Sequence, residues 1–260
     1  VTENALHVER LSARYRRRSV IEDLSLAPIR QGGLTALVGP NAAGKTTLLR
    51  AFAGLMKAQG SVRLGETELL GLQPARHASL VTYMPQALPQ RVALTVLEAT
   101  IAAVRASPLG AGAGDVRLLA MQALGRLGIA DLAMRSLDEL SGGQRQLASL
   151  AQAIVRSPRA LLLDEPTSAL DLAHTHAVMS VVRDLARERD IVAIAVIHDI
   201  GLAARFADRV IVLKDGAAIA DGPPHEAVTA KVLGVAYGVA ARVERCSRGM
   251  LTVLVDGPAL

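Results

Sequence analysis

The sequence predicts an α/β fold built on a largely parallel sheet, and three apolar stretches carry that prediction. Leu34–Val38 delivers the chain to a glycine-rich loop and a helix; Ala160-Leu161-Leu162-Leu163 ends in the acid pair Asp164-Glu165; Ile191–Ile197 ends at His198. Short, near-continuous apolar runs of this kind mark strands covered on both faces, which is the habit of parallel strands.

The first stretch leads into Gly39-Pro40-Asn41-Ala42-Ala43-Gly44-Lys45-Thr46-Thr47, which satisfies G-x-x-x-x-G-K-[ST] between a strand and a helix expected over Lys45–Leu55. In that context glycine lets backbone N–H groups close around phosphate oxygens, and the helix turns its positive end toward the anion. Lys45 is then expected to meet the β- and γ-phosphates, Thr46 to offer its hydroxyl to Mg²⁺, and Thr47 to bond a phosphate oxygen further back. The second stretch places its acids at the carboxyl end of a strand, where open α/β sheets gather their active groups. Adjacent residues point to opposite sides. Asp164 is expected to hold Mg²⁺, directly or through water, and Glu165 to orient and polarise an attacking water. ATP and Mg²⁺ are the cofactors this pattern implies.

Those elements suit any P-loop nucleotidase; a third motif narrows the field. Leu140-Ser141-Gly142-Gly143-Gln144 opens an apolar-periodic segment, Gln144–Val155, and so presents a helix N-terminus with free amides and a hydroxyl. With Ser168-Ala169-Leu170-Asp171, Tyr83-Met84-Pro85-Gln86, His198-Asp199 and Phe206–Leu213, the series resembles the ATP-binding subunit of ABC transporters over nearly the whole chain. The resemblance implies a P-loop ABC ATPase domain over residues 1–240, with a RecA-like core, an N-terminal antiparallel β subdomain and a helical subdomain inserted at about 87–156. Residues 241–260 are expected to form a short hairpin or tail around Ser247-Arg248-Gly249. Within the helical region, Val96–Arg105 and Val116–Leu127 read as helices separated by a Pro108–Gly114 loop.

The resemblance also implies roles and partners. Two copies bind head to tail, each ATP lying between one chain's Lys45 loop and the other's Ser141-Gly142-Gly143-Gln144. Gln86 senses Mg²⁺ and the attacking water where the family contacts its membrane partner; His198 meets the γ-phosphate; Asp171 communicates across the dimer; Tyr15 stacks on adenine, beside Arg14, Arg16, Arg17 and Arg18. The helix Gln144–Ala153, the run Asp164–Leu172 and the ending Tyr237-Gly238-Val239 are similar to importers of ferric siderophores, haem or cobalamin, whose many-helix permeases work with a periplasmic substrate-binding protein. An iron chelate, specifically a ferric siderophore, is the expected cargo, with haem or cobalamin next. One residue departs from the pattern: Ala42 stands where the family more often has glycine, at a cost of about 1 kcal/mol if the position needs φ > 0.

Composition is consistent with this. At 260 residues and 51% hydrophobic content the chain can bury one full core. It has no run of eighteen apolar residues and a single cysteine, Cys246, so a soluble, cytosolic chain is expected, and the resemblance implies a peripheral place at the cytoplasmic face of the inner membrane. The net charge of +5 arises from 29 basic against 24 acidic residues, largely interspersed and without an aromatic-studded groove, so nucleic acid is not expected as a partner. A soluble ABC ATPase acting on nucleic acid or the ribosome is the alternative; it would normally carry tandem ATPase halves or a long coiled-coil insertion. His174-x-His176 does not share a helix face and is read as surface rather than metal site.

Overall fold

The computed structural model describes residues 5–15, 18–86, 93–107 and 114–259. The predicted Pro108–Gly114 loop, apart from Gly114, and Arg16 and Arg17 lie outside them. In chain order the elements are strands β1 (Leu6–Tyr15), β2 (Arg18–Ile29) and β3 (Gly33–Val38), helix α1 (Lys45–Phe52), strands β4 (Ala58–Leu64) and β5 (Thr67–Glu68), helix α2 (Pro74–Leu80) and strand β6 (Val81–Met84). Helices α3 (Val96–Arg105), α4 (Val116–Arg126) and α5 (Gly142–Val155) follow, then β7 (Ala160–Asp164), α6 (Leu172–Glu188), β8 (Val192–Val196), α7 (Ile200–Phe206), β9 (Arg209–Lys214) and β10 (Ala217–Gly222). The chain closes with α8 (Pro224–Ala227), α9 (Ala230–Tyr237), β11 (Val239–Arg245) and β12 (Leu251–Pro258).

The central sheet has the order β10-β9-β3-β8-β7-β6. All its pairings are parallel except that of β10 with β9. Successive residues of its strands supply two different cores. Leu161, Leu163, Ala193 and Ala195 face one core with the helices α3 to α6; Leu162, Val192, Ile194 and Val196 face the other with α1 and the antiparallel sheet β2-β1-β4-β5. Burial on both faces explains why these strands read as unbroken apolar runs. The antiparallel sheet is less regular: register shifts interrupt the β1–β2 pairing, and Arg10 and Asp23 take φ of 48° and 49°.

Three helix boundaries differ from the sequence expectation. Helix α1 stops at Phe52 rather than Leu55, because Gly54 takes φ 66° and a Cβ there would lie 2.9 Å from the ring of His77. Helix α5 begins at Gly142, two residues earlier than its apolar pattern, since Ser141 caps it in a reciprocal box with Gln144. Helix α4 ends at Arg126. On one side of the sheet Arg209 binds both oxygens of Asp221 at 2.6 Å and the carbonyls of Pro28 and Ala27 at 2.7 and 2.9 Å, so one guanidinium joins β9, β10 and the end of β2. His174 bonds Asp171 and His176 packs edge-on to Phe206.

Candidate functional site

The carboxyl ends of β3, β6, β7, β8 and β9 lie side by side, and the residues just beyond them form the site. Beyond β3 runs the loop Gly39–Gly44. Gly39 has φ 147° and a Cβ there would lie 2.1 Å from the carbonyl oxygen of Leu213; Gly44 has φ 103° and a Cβ there would lie 2.8 Å from Ile21. Backbone excludes any side chain at Gly39, and at Gly44 the φ is one that other residues rarely adopt. Ala42, at φ 63°, does adopt the left-handed backbone.

Lys45 turns back into the loop, where its buried ammonium donates to the carbonyls of Gly39 at 2.7 Å and Pro40 at 2.8 Å. Burial pushes its pKa below the ordinary lysine value, and the nearby Glu165 and Asp164 carboxylates push back. The Thr46 hydroxyl donates to Asp164 Oδ1 at 3.0 Å. That pairs two hard oxygen donors at the place where a phosphate would arrive, a set that fits Mg²⁺, which prefers one or two protein oxygens completed by phosphate and water. Thr47 is buried beside them.

Asp164, only 1% exposed, ends β7, and its other oxygen accepts a hydrogen bond from the Tyr83 hydroxyl at 2.9 Å. Glu165 leaves the strand at φ 55°, so its carboxylate turns away from Asp164's. It is held by Gln86 Nε2 at 2.6 Å and His198 Nε2 at 2.5 Å, which brings three of the sequence candidates to one point. The Glu165 carbonyl accepts from Gln146 Nε2 at 2.6 Å, and Gln146 Oε1 accepts from the Ala169 N–H at 3.0 Å, so a buried amide of α5 fixes this turn.

A cleft of about 550 Å³ opens onto this cluster, lined by Tyr15, Asn41, Ala42, Gly44, Lys45, Thr46, Thr47, Glu165 and His198. Arg18, from the basic cluster around Tyr15, and Asp215, which sequence reasoning did not single out, also line it. The structure does not bring Ser141, Gly142, Gly143, Gln144 or Asp171 to the cleft. Ser141 and Gly142 are exposed at the start of α5, Gly143 is kept side-chain-free by the Ala169 carbonyl 2.9 Å from where its Cβ would be, and Asp171 caps α6 by accepting from the His174 N–H at 2.8 Å. Gln146, Tyr83 and Arg50 also act on the site without having been singled out for it: Gln146 and Tyr83 stood inside quoted motifs, whereas nothing local in the sequence signals Arg50.

A strand, glycine loop and lysine helix facing a carboxylate pair are the arrangement of a P-loop nucleoside-triphosphatase. The family model described as ABC transporter matches residues 21–168, more than half of the chain, and the chain belongs to that family: it is an ATP hydrolase coupled to transmembrane transport. Among curated relatives, it is 37% identical over 247 residues to the hemin import ATP-binding protein HmuV of Rhodopseudomonas palustris (strain HaA2), covering 92% of each chain. It is 38% identical over 232 residues to HmuV of Jannaschia sp. (strain CCS1), covering 86% of this chain and 84% of that one. Among solved structures, a metal-chelate type ABC transporter in an inward-facing conformation superposes with a TM-score of 0.80 at 26% identity, covering 97% of each chain. A dimeric bacterial ABC transporter cassette superposes at 0.75 and 25% identity, over 84% of this chain and 98% of that one.

Proposed function

We propose that this chain powers a bacterial importer of an iron chelate, with haem the leading cargo and a ferric siderophore or cobalamin after it. The relatives named for hemin import and the metal-chelate type neighbour support that cargo class. The single observation behind the mechanism is that Ser141 stands exposed at the N-terminus of α5, a place suited to an anion, and is not among the residues that line the cleft of Lys45. A second copy, head to tail, supplies the missing half of each site.

In this reading Lys45 exchanges the carbonyls of Gly39 and Pro40 for the β- and γ-phosphates, and the amides of Asn41 to Thr47 cradle the rest. Thr46, Asp164 and Gln86 hold Mg²⁺, which when bound neutralises charge on the phosphates. Glu165, gripped by Gln86 and His198, orients the attacking water; His198 also contacts the γ-phosphate, and Tyr15 stacks on adenine. The partner's Ser141-Gly142-Gly143-Gln144 completes the phosphate shell, and Asp171 communicates across the interface. Hydrolysis removes the bridging phosphate and releases the dimer.

Beside Gln86 lies a groove of about 1560 Å³ walled by Leu55, Met56, Leu72, Pro85, Ala103 and Ser149, with Leu55 61% exposed. We assign the many-helix permease to this groove, which places the chain at the cytoplasmic face of the inner membrane with a periplasmic binding protein upstream. No helix among the described residues is long and apolar enough to cross a membrane. The test is affinity capture of the chain from detergent-solubilised host membranes, followed by reconstitution of what is captured. A permease whose ATPase is stimulated by haem or another iron chelate is the expected result. Recovery of only soluble partners or nucleic acid, from membranes shown to hold intact complexes, would instead favour the non-transport ATPase. The Glu165→Gln variant should accumulate an ATP-bound dimer. If it remains monomeric at saturating ATP and hydrolyses at the parental rate, the two-chain site is wrong.

A further inference from the structure

Both oxygens of Asp164 are engaged by hydroxyls, but the two contacts differ in kind. Thr46, on Oδ1, belongs to the proposed metal site and gives up its bond to Asp164 when it turns to a metal. Tyr83, on Oδ2 at 2.9 Å, is not among the groups proposed to hold the metal, so it has no such competing duty. The phenol is well suited to donate. A phenol carries one O–H, and here it is directed at a carboxylate oxygen that can only accept.

Tyr83 is itself anchored. Arg50 leaves α1, the helix that starts at the phosphate loop, and donates to the Tyr15 hydroxyl at 3.2 Å. The Tyr83 hydroxyl, and then that of Tyr15, hold the Arg50 guanidinium above its ordinary range. A polar chain thus runs from Tyr15 in the cleft through Arg50 and Tyr83 to Asp164 and Thr46. Its members come from β1, α1, β6 and β7.

We propose that Tyr83 is a positioning residue of the metal site: its hydroxyl holds Oδ2 so that Oδ1 of Asp164 faces the metal, and Arg50 fixes that hydroxyl relative to Tyr15. A carboxylate oriented by an outer hydrogen bond loses affinity for its ion when that bond is removed, commonly about tenfold or more. The inference rests on Asp164 being the Mg²⁺ carboxylate, and the experiment separates the two ideas.

In the Glu165→Gln background, which suppresses hydrolysis, ATP affinity is measured by calorimetry with Mg²⁺ and again with EDTA, and the ratio reports the metal's contribution. Tyr83→Phe should shrink that ratio about tenfold while leaving the affinity in EDTA at its parental value. A misfolded chain would lose both. Asp164→Asn should remove the Mg²⁺ enhancement altogether. Arg50→Gln, changed at an exposed position, should shift the ratio in the same direction as Tyr83→Phe and serves in its place if that variant does not fold. If Asp164→Asn loses the enhancement while Tyr83→Phe and Arg50→Gln keep it, Tyr83 has no positioning role. If Asp164→Asn keeps it, the metal assignment itself fails and the Tyr83 inference falls with it.

Discussion

Replacing Ala42 by glycine should stabilise the chain slightly, against the usual effect of putting glycine into a loop. Ala42 sits at φ 63° with its side chain exposed, so the methyl group contributes little burial and meets the steric penalty of the left-handed region. Relieving that penalty is worth about 1 kcal/mol. Glycine widens the conformational freedom of the unfolded chain, which returns about 0.5 kcal/mol. The net gain is about 0.5 kcal/mol, equivalent to a rise in Tm of about 1–2 °C for a chain of this size. Differential scanning calorimetry at matched scan rates, with a denaturant titration as a second measure, can detect it. A Tm lowered by the substitution would refute the reasoning, because it would mean that the Ala42 methyl makes a stabilising contact larger than the backbone penalty. ATP affinity should be unchanged or modestly higher, since the loop reaches the same shape with less opposition.

Three other substitutions probe separate parts of the molecule. Ser141→Ala should leave ATP binding by the monomer intact and cut turnover of the assembled transporter about tenfold or more; loss of monomer binding would show that the cap acts on its own chain's nucleotide. Arg209→Met should cost about 2–4 kcal/mol in a denaturant titration, because it strands the Asp221 carboxylate and the Pro28 and Ala27 carbonyls together; a cost under about 0.5 kcal/mol would place the guanidinium among ordinary surface charges. His77 is buried, and desolvation, opposed by the Phe52 carbonyl, holds its pKa below 6.5. Its unfolded form therefore takes up a proton first, and stability is retained above pH 6.5 but lost as pH falls toward the folded value. His77→Gln should flatten that decline in melts run across this window, and an unaltered slope would assign the acid sensitivity to other groups.

The sequence disclosed the parts of this fold whose physics is local. Leu161 to Leu163 and Val192 to Val196 are apolar because both faces of the sheet are covered, and Gly39, Gly44, Lys45 and Thr46 have to stand in one short string to surround a phosphate. Where structure depends on a distant neighbour, local pattern misled or was silent. The end of α1 is set by His77 lying against Gly54, which no helix periodicity between Lys45 and Leu55 reveals. The antiparallel sheet was expected only by family likeness, since the left-handed residues Arg10 and Asp23 break the alternation that would announce β1 and β2. Tyr15, Arg50, Tyr83 and Asp164 meet because four elements fold over one another, and no spacing along the chain foretells it. Ser141 was legible as a helix cap, whereas its separation from the Lys45 cleft is visible only in three dimensions.

The folded-back Lys45 gives the loop an internal rival for an anion. Two carbonyl oxygens already satisfy the ammonium, so an incoming anion gains only the difference between its oxygens and theirs. A singly charged or poorly shaped anion offers little more than those carbonyls and leaves the side chain where it is. A polyphosphate, with several charges in line, offers enough to draw it out. Selection among anions at this loop therefore turns on a single side chain that has to be displaced.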